Sequence, residues 1–300
     1  MGRRDGPAGP DGLAVVDKAA GWTSHDVVAK ARGLLGTRKV GHSGTLDPDA
    51  TGVLLLGVGR VTRLLRFLGA PPKTYTGVVV LGTATTTLDA SGDVTGRWDM
   101  QRITLHDVCA AAVGLTGEVL QVPPMVSAVH VGGRRLHELA REGQEVERTP
   151  RQVTVHRLDV GPPVEPGAFP IEVTCSSGTY VRSLAADLGT ALGGGAHLRD
   201  LRRTAIGSFH ETEAVPVEAL DPERLLSPAS ALRDLASVTI PAGLVPVVGH
   251  GAVLERAALG ASGDGPWAVL DPDGALLAVY EDHGPKGTKP AVVLPPDTRA

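Results

Sequence analysis

The segment Gly41-His42-Ser43-Gly44-Thr45-Leu46-Asp47-Pro48-Asp49-Ala50-Thr51-Gly52 constrains this chain more than any other stretch. It shows neither the 3.6-residue period of an amphipathic helix nor the alternation of a half-buried strand. Glycines at 41, 44 and 52 permit tight or positive-φ backbone, and Pro48 keeps Asp47 extended. Before it, Val27, Val28, Ala31, Leu34 and Leu35 form the stripe of a helix capped at Thr23 or Ser24, with Asp26 in its first turn and Gly36 at its end. After it, Val53–Val58 is a continuous apolar run, the mark of a buried strand. The spacing predicts a loop over 37–52, between a packed helix and a core strand. Asp47 beside His42 suits a nucleophile, a base or a charge stabiliser. The same residues also suit a structural turn in which Asp47 caps local N–H groups. The glycines do not make a phosphate loop, because the Gly-Lys-Ser/Thr ending is missing.

The rest of the chain mixes strands and helices without a regular β-α-β rhythm, which indicates an α+β fold with a large mixed sheet. Strands are expected at 13–17, 75–81, 119–122, 126–131, 153–160, 171–175 and 198–209. Helices are expected at 61–68, 105–113, 135–141 and 180–192, and loop over 83–99. Residues 1–10 read as a disordered tail, 221–247 as a helix and linker, and the last sixty residues as a small all-β module.

At 42% hydrophobic residues the chain can bury a core, and 300 residues suggest about two domains at roughly 150 each. No apolar run is long enough to span a membrane, and no export signal follows Arg3 and Arg4. Cys109 and Cys175 offer neither a disulfide framework nor zinc spacing. The expectation is a soluble, cytoplasmic protein. The net charge of −4 does not announce a nucleic-acid binder, but it is unevenly spread. Residues 11–212 hold 21 Lys and Arg against 20 Asp and Glu, whereas 213–300 hold 6 against 12. The bases of the first part gather at Arg38-Lys39, Arg60/Arg63/Arg66, Arg134-Arg135 and Arg199/Arg202/Arg203, which suits either a basic face or solvated helix faces.

The Gly41–Gly52 segment resembles the Gly-His-x-Gly-x-Leu-Asp-Pro-x-Ala-Thr-Gly motif of the TruB family of tRNA pseudouridine synthases. Further stretches agree in order: Asp17–Ser24, Lys73-Thr74-Tyr75, Gln121–Ala128, Cys175–Arg182, and Ala196-His197-Leu198 with Leu201-Arg202-Arg203. The resemblance covers about residues 12–212 and, more weakly, the C-terminal module. It implies a pseudouridine-synthase fold: a bent mixed β-sheet flanked by helices, plus a small C-terminal PUA-like β-module. The domains it implies are 11–240 for catalysis, with an RNA-gripping insertion at about 121–150, and 241–300 for the module.

The resemblance also implies a reaction. The T-loop uridine of tRNA, at the position customarily numbered 55, is flipped out and isomerised, with no cofactor and no metal. By motif, Asp47, Tyr75 and Arg182 are catalytic. The aspartate acts at C1′ or removes the 2′ proton, the arginine keeps it ionised, and the tyrosine lies against the base. His42, Lys18, Tyr180 and Leu201 bind the substrate; His42 helps occupy the vacated space and Leu201 lines the pocket. Charge pattern adds Arg134, Arg135, Arg202 and Arg203 as phosphate contacts. Partners reduce to the tRNA T-arm, with no membrane, and a monomer is expected. Two departures stand out: Ala19 replaces the family's Pro, which loosens the local turn, and 213–300 is acidic. Two rivals are a tRNA-binding chaperone and an N-ribosyl hydrolase. The hydrolase needs a second carboxylate that the motifs do not supply.

Overall fold

The computed structural model describes residues 9–127, 130–131, 134–135, 142, 144 and 146–294. The tail expected over 1–10 and the helix expected over 135–141 lie almost wholly outside the described residues. The first elements are β1 (Gly12–Lys18), α1 (Ser24–Leu34), β2 (Val40–Ser43), β3 (Thr51–Val58) and α2 (Leu65–Leu68). Next come β4 (Lys73–Leu81), β5 (Thr83–Thr85), β6 (Val94–Arg97), α3 (Leu105–Val113), β7 (Gly117–Gln121), β8 (His130–Val131) and β9 (Arg134–Arg135). They are followed by β10 (Arg151–Val160), β11 (Ala168–Cys175), α4 (Val181–Ala191), β12 (Ala196–Ile206), β13 (Phe209–His210), β14 (Val215–Pro216) and α5 (Pro228–Ala231). The chain closes with β15 (Ala236–Thr239), α6 (Val245–Gly249), α7 (Arg256–Leu259), β16 (Trp267–Leu270), β17 (Leu276–Asp282) and β18 (Thr288–Val293). This is an α+β fold with a large mixed sheet and a small C-terminal sheet.

Two compact units form. One comprises 1–48, 53–70 and 207–300, the other 49–52 and 71–206. In the first, β1 lies between β14 and β3, and β2 folds back antiparallel on β3, with Val40 opposite Val58 and Ser43 opposite Leu55. The loop expected over 37–52 therefore contains a strand, because Val40 and Ser43 bury against β3. Helix α1 starts where expected: Thr23 and Asp26 exchange side-chain and backbone hydrogen bonds in a capping box. Its Val27, Val28 and Ala31 join Ala14, Val16, Leu54 and Leu56 in one core. Farther on, β15-β16-β17-β18 make a four-stranded sheet around the fully buried Trp267 and Tyr280. That sheet begins at Ala236 and carries the short helices α6 and α7, so it is not all-β. Arg60, Arg63 and Arg66, grouped in sequence as a basic cluster, are engaged within this unit by Asp11, the Val293 carbonyl and Glu281.

In the second unit the strands run β12-β4-β11-β10-β7. Along β4, burial alternates residue by residue, and Tyr75, Val79 and Leu81 take the buried face. Helices α3 and α4 cover that core through Val108, Ala112, Leu184 and Leu188. The stretch expected as loop over 83–99 holds a hairpin, β5 with β6, whose three- and four-residue strands are too short to show a period. Residues 126–127 are bends rather than strand. Thr51 and Gly52 of β3 pair parallel with Arg202 and Arg203 of β12. Gly52 sits at φ +100, and a Cβ there would meet the Arg203 carbonyl oxygen at 2.2 Å. Only glycine fits both conditions. Gly52→Ala is expected to destabilise the protein by more than about 2 kcal/mol, read as a lower denaturant midpoint with unchanged m-value.

Candidate active site

In the first unit, the residues around Asp47 are tied down on both sides. Leu46 is buried, and its N–H donates to the Ser24 hydroxyl at 2.9 Å while that hydroxyl donates to the Leu46 carbonyl at 3.2 Å. The Pro48 carbonyl accepts from the Gly21 N–H at 3.0 Å and from the Lys18 ammonium at 2.9 Å. Lys18 is only 1% exposed. Its ammonium also donates to the carbonyls of Ala19 at 3.0 Å and Trp22 at 2.7 Å. The turn that Ala19 was expected to loosen is therefore closed by Lys18 from within. A rigid peptide on each side sets where the half-buried Asp47 carboxyl can reach. His42 stands on β2, with its ring edge-on to His25 at 5.4 Å between centroids.

The second unit holds the other expected residues. Arg182 is 4% exposed in the first turn of α4. Its guanidinium donates to the carbonyls of Thr87 at 2.8 Å and Val126 at 2.9 Å, and lies 3.5 Å from the Asp89 carboxylate. Asp89 in turn accepts from the hydroxyls of Thr87 and Ser91, both at 2.6 Å. Arg182 thus has a fixed position, which a surface arginine would lack. Tyr180 precedes the helix, and Gln121, 3% exposed, clasps its peptide unit. The Gln121 side-chain Oε1 accepts from the Tyr180 N–H at 2.7 Å, and its Nε2 donates to the Tyr180 carbonyl at 3.1 Å. Ser183 adds a bond to the Val122 carbonyl at 3.2 Å. The run from Gln121 to Val126 is the strap that orients Tyr180 and Arg182.

Tyr75 is 8% exposed on β4, between Val173 of β11 and Arg203 of β12. The Arg203 guanidinium lies 6.0 Å from the centre of its ring. Lys73 is buried two residues before it, and burial, with Arg203 alongside, pulls its ammonium from the ordinary 10.5 down to about 8. Leu201 is half-buried beside Gly77. Among the expected phosphate contacts, Arg134 is exposed and pairs with Glu142 at 2.5 Å. The side chain of Arg135 is outside the described residues. Arg202 is half-buried, with one nitrogen 3.4 Å from the Thr51 hydroxyl. Arg203 is 1% exposed, so the expectation of a phosphate contact there is revised: its charge faces the protein interior. Sequence reasoning named neither Lys73, Gln121 nor Asp89 as site residues. The first two stand inside the quoted motif runs, whereas Asp89 falls in the stretch expected as loop.

Comparison with known proteins follows the same order along the chain. Residues 32–181 match the model described as TruB family pseudouridylate synthase (N terminal domain), and 182–237 match the tRNA pseudouridylate synthase B C-terminal domain. The protein named tRNA pseudouridine synthase B of Mycobacterium sp. (strain KMS) is 46% identical over 96% of this chain and 97% of its own length. Its namesake in Rhodococcus jostii (strain RHA1) is 46% identical over 96% of this chain and 95% of its own. Among solved structures, a chain from the crystal structure of a Cbf5-Nop10-Gar1 complex superposes with a TM-score of 0.71 at 27% identity, covering 91% of this chain and 78% of that one. The chain belongs to the TruB family of tRNA pseudouridine synthases.

Proposed function

We propose that this protein isomerises the T-loop uridine of tRNA, at the position customarily numbered 55, to pseudouridine, with Asp47 as the essential carboxylate. The N-glycosidic bond breaks, the base turns, a C–C glycosidic bond forms at C5, and the C5 hydrogen leaves as a proton. The reaction needs a carboxylate at a defined place beside the sugar. The observation that carries the reading is the double anchoring of the peptides flanking Asp47, by Ser24 at Leu46 and by Lys18 and Gly21 at Pro48. Pre-organisation of this kind converts binding into rate.

The other roles follow the family motif. Tyr75 lies against the base, Arg182 supports the charge of Asp47, His42 occupies the vacated space after flipping, and Leu201 lines the pocket. Lys18 serves the site by fixing Pro48, and Tyr180 by leading into Arg182. Arg134, Arg135 and Arg202 steer the T-arm phosphates; the exposed Arg134–Glu142 pair is cheap to exchange for a phosphate. The catalytic domain, expected over 11–240, ends where the C-terminal sheet begins at Ala236, and that sheet with its short helices forms the PUA-like module.

Tritium release from tRNA carrying 5-tritiated uridine tests the centre of this reading. Wild type is expected to release tritium, and Asp47→Asn to lose at least roughly 10³-fold in rate while still binding tRNA. Free uracil in place of pseudouridine would instead identify a hydrolase. Arg182→Lys keeps the charge but loses the fork that reaches the Thr87 and Val126 carbonyls. We expect it to lower the rate by about 10²-fold with tRNA affinity largely kept, and full activity would remove the argument from its geometry.

Stability should also report Lys73. Between pH 8 and 10.5 the unfolded chain holds a proton that the folded protein has released at this side chain. The group therefore adds stability as pH rises through that window and nothing further below it. Wild type and Lys73→Met are compared by denaturant unfolding at pH 7, 8, 9 and 10, and the stability of wild type relative to the variant should rise with pH as the cost of the buried ammonium is relieved. Parallel curves would show that Lys73 titrates normally.

A further inference from the structure

The strand β12 carries two one-residue bulges, and the first decides what each of its adjacent arginines does. Arg199 stands opposite Val78 of β4, yet Arg202 stands opposite Thr76 and Arg203 opposite Tyr75, and then Ala205 stands opposite Thr74. The first extra residue falls at Asp200–Leu201, where Asp200 takes φ 56, a left-handed value that non-glycine residues seldom adopt. Paired residues share a face, and one extra residue exchanges the faces of everything beyond it. Had β12 kept the register of its first four residues, Arg202 would oppose Tyr75 and turn inward. The bulge gives that place to Arg203, which is 1% exposed with its guanidinium 6.0 Å from the ring centre. Arg202 is left half-buried against the Thr51 hydroxyl. The same residue also meets β3, since Gly52 pairs with Arg203 and admits no Cβ against its carbonyl. Burying a guanidinium is costly unless its surroundings compensate. Its backbone pairs with Gly52 and Tyr75, and its guanidinium also lies within cation–π range of the Tyr75 ring.

We propose that Arg203 is a positioning residue for the isomerisation: it sets the orientation of the Tyr75 ring toward the flipped base and makes no phosphate contact. This rests on Tyr75 being the base-facing residue of the proposed reaction. Lysine offers a point charge without the planar group, so the two bases are not interchangeable here.

The test is single-turnover pseudouridine formation on a full-length tRNA transcript by the full chain, with tRNA affinity measured at several salt concentrations. Arg203→Met is expected to slow the reaction by about 10²-fold, the scale of an ångström-level misplacement, with affinity within about threefold of wild type. Arg203→Lys, the safer variant for folding, should lose about tenfold in rate with an unchanged salt slope. In a Tyr75→Leu background Arg203→Lys should add no further loss, because the ring it orients is gone. A full-rate Arg203→Lys, a loss that multiplies with Tyr75→Leu, or a salt slope lowered by about one with the rate intact would each overturn the proposal. A fully active Tyr75→Leu would bring down the Tyr75 reading itself, and this single variant keeps that failure apart from a failure confined to Arg203.

Discussion

A buried ammonium cannot be left without acceptors, and Lys18 finds three backbone carbonyls at Ala19, Trp22 and Pro48. That requirement shapes the local chain. It curls residues 19–22 into a tight turn just ahead of α1, and it draws Pro48 to the end of β1. The same turn brings Ser24 to Leu46, so a helix N-terminus and a loop thirty residues apart from Lys18 become one rigid body. A hydrophobic contact would have tolerated a shift of an ångström. Three charge-assisted hydrogen bonds converging on one nitrogen tolerate far less.

The second unit solves a related problem with different means. Its sheet offers β4 a regular alternation, but the residues about Tyr75 need an arginine inward and its neighbour outward. Regular pairing would give the opposite assignment. The first of two irregularities in β12, made at the cost of a left-handed Asp200, reverses it. At the other side of the unit, Gln121, Ser183 and Arg182 join the start of α4 to the 121–126 strap through four hydrogen bonds. Backbone carbonyls do much of the holding in both units.

These differences also explain what a reader of the sequence can see. Helices α1 and α3 were legible because each begins with a Thr followed three residues later by Asp, ahead of an apolar stripe. β4 was legible by alternation, and β3 by its unbroken apolar run. β2 was hidden because its four residues become a strand only through pairing with β3. The β5–β6 hairpin was hidden by its brevity. The motif residues Lys18, His42, Asp47, Tyr75, Tyr180 and Arg182 could be named in advance, but the bonds that hold them could not, since Gln121 lies fifty-nine residues from Tyr180. Arg202 and Arg203 looked equivalent. No local pattern announces a bulge, because the extra residue exists only relative to a partner strand.

The clasp at Gln121 bears on how this chain can change over evolutionary time. β7 ends where β10 begins, with Gln121 directly opposite Arg151. The chain between them leaves the sheet and returns at neighbouring points, and by Val126 it has already made its bonds to α4. The ladder fixes the two ends of this connection at Gln121 and Arg151. Closing a longer or shorter excursion costs little, since loop entropy grows only with the logarithm of length. A longer or shorter connection there would leave Tyr180 and Arg182 in place, so tolerance of length change and the bonds that hold these two residues fall in separable stretches of one chain.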